Sequence, residues 1–103
     1  MARAVVWTDS AWRDLEEVAD YIAQDSRYYA ASFVQEVRVA ARSLSTLAER
    51  GRVVPEFSDP AIHELLIKRY RLIYRCSEKR VEIVAFIHGA RDLRRFRQKT
   101  RRP

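Results

Sequence analysis

Hydrophobic and polar residues alternate along RYRLIYRCSEKRVEIVAFIHGARD, residues 69 to 92, and this alternation predicts two paired β-strands. Side chains of a strand point to opposite faces at a period of two. One face is expected to be apolar, with Tyr70, Leu72, Tyr74, Cys76, Val81, Ile83, Ala85 and Ile87. The other face is expected to be mixed, with Arg69, Arg71, Ile73, Arg75, Glu82, Val84, Phe86 and His88. The polar segment from Ser77 to Arg80 is short enough for the hairpin loop between the strands.

Two amphipathic helices are predicted before these strands. Apolar residues at a spacing of three and four indicate one helix from about residue 9 to 24, capped by Thr8 or Asp9. A second run of the same period predicts a helix from 27 to 49, which Asp25 or Ser26 can cap. Gly51 is expected to end it, because glycine readily takes the left-handed conformation that commonly follows a helix. The short connection predicts an antiparallel helical hairpin.

Two further apolar runs, Ala4 to Trp7 and Ile62 to Ile67, read as strands, while Pro55 and Pro60 indicate a loop over residues 52–60. The order is then β-α-α-β-β-β, an α+β class in which the two helices cover one face of a four-stranded, largely antiparallel sheet. The first strand is expected beside the last. The most buried side chains are expected to be those of Leu15, Ile22, Phe33, Val37, Leu44, Leu72, Tyr74 and Ile83.

The length of the chain predicts a single domain, and its charge predicts an anionic partner. The chain has 103 residues, a formal net charge of +6 and a pI of about 10.0. We expect a domain over residues 1–93 and a basic, mobile tail over 94–103, because the tail has little apolar content to pack. Such charge is typical of proteins that meet nucleic acid, an acidic protein or an anionic membrane, although a merely soluble basic domain has it too. The cationic residues expected to bind are Arg69, Arg71, Arg75, Arg91, Arg94 and Arg95.

Several classes of chemistry are disfavoured. A single cysteine, Cys76, excludes an internal disulfide and a Cys-rich zinc site, and it is expected to pack as a small hydrophobe. No apolar run approaches the about 20 residues of a membrane span, and no signal peptide is visible, so we expect a cytoplasmic protein. Neither metal-ligand spacing nor a glycine-rich phosphate loop is present, so no cofactor is expected.

Four segments in order resemble the RelE/ParE superfamily of bacterial toxins, also called plasmid-stabilisation proteins. They are WTDSAWRDLEEVADYIA, GRVVPEF, HELLIKRYRLIYR and VEIVAFIHGARDL, and they cover nearly the whole chain up to about residue 93. The resemblance implies a toxin neutralised by an acidic antitoxin that is normally encoded beside it. Within the superfamily, ParE-like members poison DNA gyrase, whereas RelE-like members cut mRNA on the ribosome.

The resemblance also implies candidate catalytic residues for the nuclease alternative. Glu56 matches a general-base carboxylate, Arg71 a phosphate-binding arginine and His88 a late acid or base. Gly89 stands where one nuclease branch has an aromatic residue, and the lysine-rich strand of another branch is missing. These departures and the ending HGARDL favour the ParE-like branch.

The same residues also allow purely structural interpretations. His88 would cap its strand, Glu56 would pair with a nearby arginine, and His63 would be structural. Three functions therefore stay open: gyrase inhibition, ribosome-dependent mRNA cleavage, and a degenerate member that binds its antitoxin only. If the nuclease hypothesis holds, the sheet is expected to bring Arg71 and His88 together.

Overall fold

Seven elements follow one another along residues 2–90, the part of the chain that the computed structural model describes. They are β1 (Ala4–Trp7), α1 (Asp9–Ala23), α2 (Arg27–Ser43), β2 (Arg52–Val53), β3 (Ile62–Ile67), β4 (Tyr70–Cys76) and β5 (Arg80–His88). The strands form one sheet in the order β1-β5-β4-β3-β2, with β1 parallel to β5 and the other pairs antiparallel. The α+β class is confirmed, as is the position of the first strand beside the last. None of the helices within residues 2–90 is long and apolar enough to cross a membrane.

Each helix begins at a hydroxyl side chain that caps its first turn. Thr8 Oγ1 accepts a hydrogen bond from the Ala11 amide at 3.0 Å, and Ser26 Oγ accepts one from the Tyr29 amide at 3.1 Å. Each bond satisfies a backbone donor that has no partner within the helix. The apolar sides of both helices then pack on the sheet. The predicted core is confirmed except at Ile22, which is only partly buried.

Helix α2 ends at Ser43, earlier than the periodicity predicts. Residues 44–50 continue in turns whose hydrogen bonds mostly span three residues, such as Leu44 N to Ala41 O at 3.0 Å. A spacing of three still directs Leu44 and Ala48 into the core, so the apolar pattern does not reveal the change. The Arg3 amide donates to the Ser45 carbonyl and the Ser45 hydroxyl donates to the Arg3 carbonyl, both at 2.8 Å, which ties these turns to the residue before β1.

Gly51 is needed for close approach and not for a left-handed conformation, which the sequence analysis had expected. Its backbone has no positive φ angle. A Cβ atom at this position would lie 2.3 Å from the Glu64 carbonyl oxygen and 2.4 Å from the Tyr74 hydroxyl. The Tyr74 hydroxyl donates to Ala48 O and accepts from Gly51 N, both at 2.9 Å. Tyr74 therefore fastens the turns that follow α2 to the centre of the sheet.

Replacing Tyr74 with phenylalanine should lower the free energy of unfolding by about 1–3 kcal/mol, because buried backbone groups lose their partner. Burial also raises the pKa of the Tyr74 phenol, so the folded state holds that proton more tightly than the unfolded state. Stability should fall as the pH rises above about 10, the ordinary pKa of tyrosine, and this fall should be smaller in Tyr74→Phe. Urea unfolding at pH 7 and at pH 10.5 tests both effects. An unchanged stability at pH 7 would contradict the proposed anchoring role.

A β-bulge in β5 reverses the predicted facing of its last residues. Ile73 pairs with Ala85 and Tyr74 pairs with Ile83, so Val84 is an extra residue on the β5 side. From Ala85 onwards the alternation is inverted. Phe86 packs in the helix-side core and its amide donates to Asp14 Oδ2 at 3.0 Å. The predicted placement of Phe86 and His88 beside the arginines, and of Ala85 and Ile87 under the helices, is therefore wrong.

The second face of the sheet carries its own small core. Val54 and Phe57, from the loop after β2, pack against Ile73, Ala85 and Ile87. The predicted loop over 52–60 is partly wrong, because Arg52 and Val53 pair with β3 and make the sheet five-stranded. The rest of this loop lies over the face that was expected to be open and basic.

Candidate functional site

Arg71 lies at the centre of an ionic cluster on the second face of the sheet. Its side chain extends from β4, and the residue is only 5% exposed. Its Nη1 and Nη2 donate to the two carboxylate oxygens of Glu56 at 2.9 and 2.8 Å, a bidentate pair. Its Nε and Nη2 reach Glu64 Oε1 at 2.6 and 2.5 Å. The hydrogen bond to Glu56 is the main cause of a raised pKa of Arg71, so its guanidinium stays charged.

Strand register brings these side chains together. Arg71 pairs with Leu66 and Glu64 pairs with Ile73, so Arg71 and Glu64 are diagonal neighbours on one face. Arg52 is the first residue of β2 and pairs with Glu64 on β3. Its Nε donates to Glu64 Oε2 at 2.5 Å. Glu56 comes from the loop that lies over this face. Among these four side chains two carboxylates face two guanidinium groups, so their formal charges cancel.

His88 lies on the opposite face of the sheet from Arg71. It pairs with Tyr70, whereas Arg71 pairs with Ile87, and directly paired residues share a face. The His88 ring contacts the Tyr70 ring edge-on, with centroids 5.7 Å apart, and His88 Nδ1 accepts from the Ala90 amide at 3.2 Å. The expectation that the sheet brings Arg71 and His88 together is wrong, because the bulge at Val84 inverts the end of β5.

The other predicted binding residues are dispersed. Arg75 pairs with Asp59 at 3.2 Å, and both side chains are partly exposed. Arg69 lies in the two-residue turn between β3 and β4, where it is exposed and has no carboxylate partner within residues 2–90. Arg91, Arg94 and Arg95 lie outside the described residues, as do the predicted tail and its boundary at residue 93. The sequence predicted one basic surface on β4 for an anionic partner. The protein's own carboxylates neutralise most of its charge, because Arg71 and Arg75 are both paired.

The second histidine, His63, is held by structural contacts. Its ring stacks on Tyr74 with centroids 5.6 Å apart, and its Nδ1 lies 3.9 Å from Cys76 Sγ. Burial raises the pKa of the Cys76 thiol, which disfavours the reactive thiolate. These contacts agree with the structural interpretation of both residues.

Comparison with known proteins identifies the family. Residues 5–93 match the model of the ParE toxin of the type II toxin–antitoxin system parDE. The chain belongs to this toxin family. It is 35% identical to Toxin RelE2 of Caulobacter vibrioides over 88 residues, which are 84% of this chain and 96% of that protein.

Two solved structures share the fold of this ParE-family toxin. The chromosomal ParDE toxin–antitoxin system from P. aeruginosa has a chain that superposes with a TM-score of 0.70 at 21% identity, over 84% of this chain and 96% of that one. The toxin–antitoxin complex RelBE2 from Mycobacterium tuberculosis has a chain that superposes with a TM-score of 0.60 at 23% identity, over 85% of this chain and 99% of that one. The family-model match and the 35% identical relative confirm the predicted membership of the RelE/ParE superfamily.

The sequence analysis of this ParE-family toxin missed Glu64, which links Arg71 to Arg52. A signal was present, because the alternation of β3 places Ile62, Glu64 and Leu66 on one side. An acid on the same face as a strand arginine, one strand away, is a candidate cross-strand partner. The hypothesis that Glu56 pairs with a nearby arginine holds, and Arg71 is that arginine.

Proposed function

We propose that this ParE-family toxin arrests growth by inhibiting DNA gyrase in the cytoplasm, and that an acidic antitoxin neutralises it. The observation that carries the choice of target is the separation of Arg71 and His88 on opposite faces of the sheet. The family match supports the toxin role.

The same geometry weighs against mRNA cleavage by this toxin. Attack by a ribose hydroxyl needs a base, a cation at the phosphate and an acid at the leaving oxygen, all around one phosphate. Arg71 is buried between two carboxylates, so a phosphate would have to displace Glu56 to reach it. A bidentate carboxylate is a strong competitor for a guanidinium. An inhibitor that works by docking needs none of these groups to meet.

Glu56→Gln and His88→Ala should both remain toxic. In a nuclease, loss of an acid or base reduces the rate by about 10²–10⁴-fold, so either variant would lose nearly all activity. Growth arrest on induction, gyrase supercoiling in vitro and mRNA cleavage by translating ribosomes are measured in parallel. The parent and both variants should inhibit supercoiling and leave mRNA intact, and the adjacent reading frame should restore growth when co-expressed.

Melting temperatures and a surface variant serve as controls for this experiment. Arg80→Ala alters an exposed residue at the start of β5 and should behave like the parent. Ribosome-dependent mRNA cuts by the parent, with loss of toxicity in both variants at unchanged melting temperature, would assign the toxin to the nuclease branch instead.

A further inference from the structure

The helical hairpin has an exposed side that points away from the sheet. Helix α1 directs Ala11 and Leu15 toward the sheet, and α2 directs Phe33 and Val37 there. Residues a quarter to half a turn away on each helix point out of the core. Six of them form what we call the outer face, and all six are exposed: Asp9, Trp12 and Glu16 on α1, with Arg38, Val39 and Arg42 on α2.

Charge is segregated between the two helices. Five acidic residues and one arginine lie in α1, whereas three arginines and one glutamate lie in α2. The glutamate of α2, Glu36, pairs with Lys68 of the turn between β3 and β4 at 3.6 Å, so it does not offset the arginines. The four charged residues of the outer face form no ion pair with any of residues 2–90. The outer face therefore has an acidic half and a basic half, and neither is neutralised within the described part of the chain.

An aromatic and an aliphatic side chain lie between the two halves. Trp12 is 38% exposed and Val39 is 49% exposed. The Trp12 ring packs edge-on against Trp7, with centroids 5.4 Å apart, and the Arg38 guanidinium lies 6.0 Å from the Trp12 centroid. These contacts hold the indole in place before any partner arrives, which lowers the entropy lost on binding. An ordered tryptophan beside an arginine is typical of a protein interface.

Two copies that meet through this face have two symmetric arrangements, since a two-fold interface uses the same surface on both partners. With the axis across the helices, α1 of one copy lies on α1 of the other, and acids face acids. With the axis along the helices, each α1 lies on α2 of the other copy, and acids face arginines. Trp12 and Arg38 are level with each other in the hairpin. The second arrangement therefore places Glu16 within about one turn of Arg38 of the other copy.

We propose that the outer face is a homodimer interface, in which α1 of each copy packs on α2 of a second copy. A nucleic acid or an acidic peptide would be repelled by the acids of α1, whereas a second copy complements both halves of the face. The proposal goes beyond gyrase inhibition and does not depend on it. It leaves the Arg71 cluster uncovered, because that cluster lies on the sheet face opposite the helices.

The size of the outer face predicts a weak dimer. At 1.5 Å per residue α2 is about 25 Å long, and two helices side by side are about 20 Å wide, so each copy buries about 500 Å². The total of about 1,000 Å² is at the low end for specific complexes. Exposed charges supply much of the attraction, so the dimer should dissociate as salt is added.

Sedimentation equilibrium of the full-length protein tests the interface, with a reducing agent present so that Cys76 cannot link two copies. The parent should dimerise reversibly in dilute salt, and its dissociation constant should rise at least tenfold in about 0.5 M salt. Glu16→Lys and Arg38→Glu should each weaken the dimer at least tenfold, because like charges then face each other. An equimolar mixture of these two variants should form a heterodimer at least fivefold tighter than either homodimer.

Matched controls reverse charges elsewhere on the surface. Glu78→Lys and Arg80→Glu alter exposed residues where β4 turns into β5, and both should change the dissociation constant less than twofold. All four substituted residues are exposed, so melting temperatures should stay close to that of the parent. The proposal is overturned if the parent stays monomeric in dilute salt, if the controls weaken the dimer as much as the outer-face variants, or if the mixture of Glu16→Lys and Arg38→Glu stays as monomeric as each variant alone.

Discussion

Arg71→Ala should lower the free energy of unfolding by about 3–5 kcal/mol, the usual cost of removing one partner of a buried ion pair. The side chain of Glu64 is fully buried, so its carboxylate would remain in the interior with only Arg52 beside it. Glu56 would also lose its bidentate contact with β4. Urea denaturation followed by circular dichroism measures the change.

Arg75→Ala is the matched control for this variant, because Arg75 lies on the same strand and also pairs with a carboxylate. Its partner Asp59 is partly exposed, so the expected cost is about 0–1 kcal/mol. The double variant Arg71→Met, Glu64→Leu should recover much of the stability lost in Arg71→Ala, since apolar residues of similar volume often replace buried ion pairs without loss. Equal costs for Arg71→Ala and Arg75→Ala would contradict the structural role given to the cluster.

Phe33→Ala should lower the free energy of unfolding by a similar amount, about 3–5 kcal/mol. Phe33 is buried on α2 and its ring contacts Tyr70 and Phe86, which belong to two different strands. Truncation would leave a cavity where the helix meets the sheet. Thermal unfolding of Phe33→Ala is compared with that of Tyr29→Ala. Tyr29 lies one turn earlier on α2 and is 71% exposed, so its truncation should change stability by less than about 0.5 kcal/mol. A loss below about 1 kcal/mol for Phe33→Ala would place this ring outside the central core.

The architecture was predictable because local patterns and the global fold agree. The hydroxyl caps at Thr8 and Ser26 mark where the helices begin. The spacing of apolar residues in α1 and the alternation along β3 place apolar side chains toward one common core. The end of α2 was not predictable in this way. Its helical turns and the tighter turns that follow both place an apolar residue inward about every third position.

The candidate site was less predictable, because it depends on contacts between distant segments. Glu56 and Arg71 could each be proposed from the resemblance, but their burial against Glu64 depends on the loop over the second face. The position of His88 depends on one extra residue, Val84, and a valine in a strand carries no mark of a bulge.

The bulge at Val84 shows that the number of residues in a strand decides which side chains can meet at a site. The two faces of the sheet are separate environments, and an odd or even number of residues decides which of them receives the last side chains of β5. A relative that lacked the extra residue would present its terminal histidine on the same face as the arginine, and the other residues after the bulge would change faces with it. In a fold of this kind, the insertion or deletion of one residue can join or separate a catalytic pair. Counting residues between two motifs is therefore as informative as identifying them.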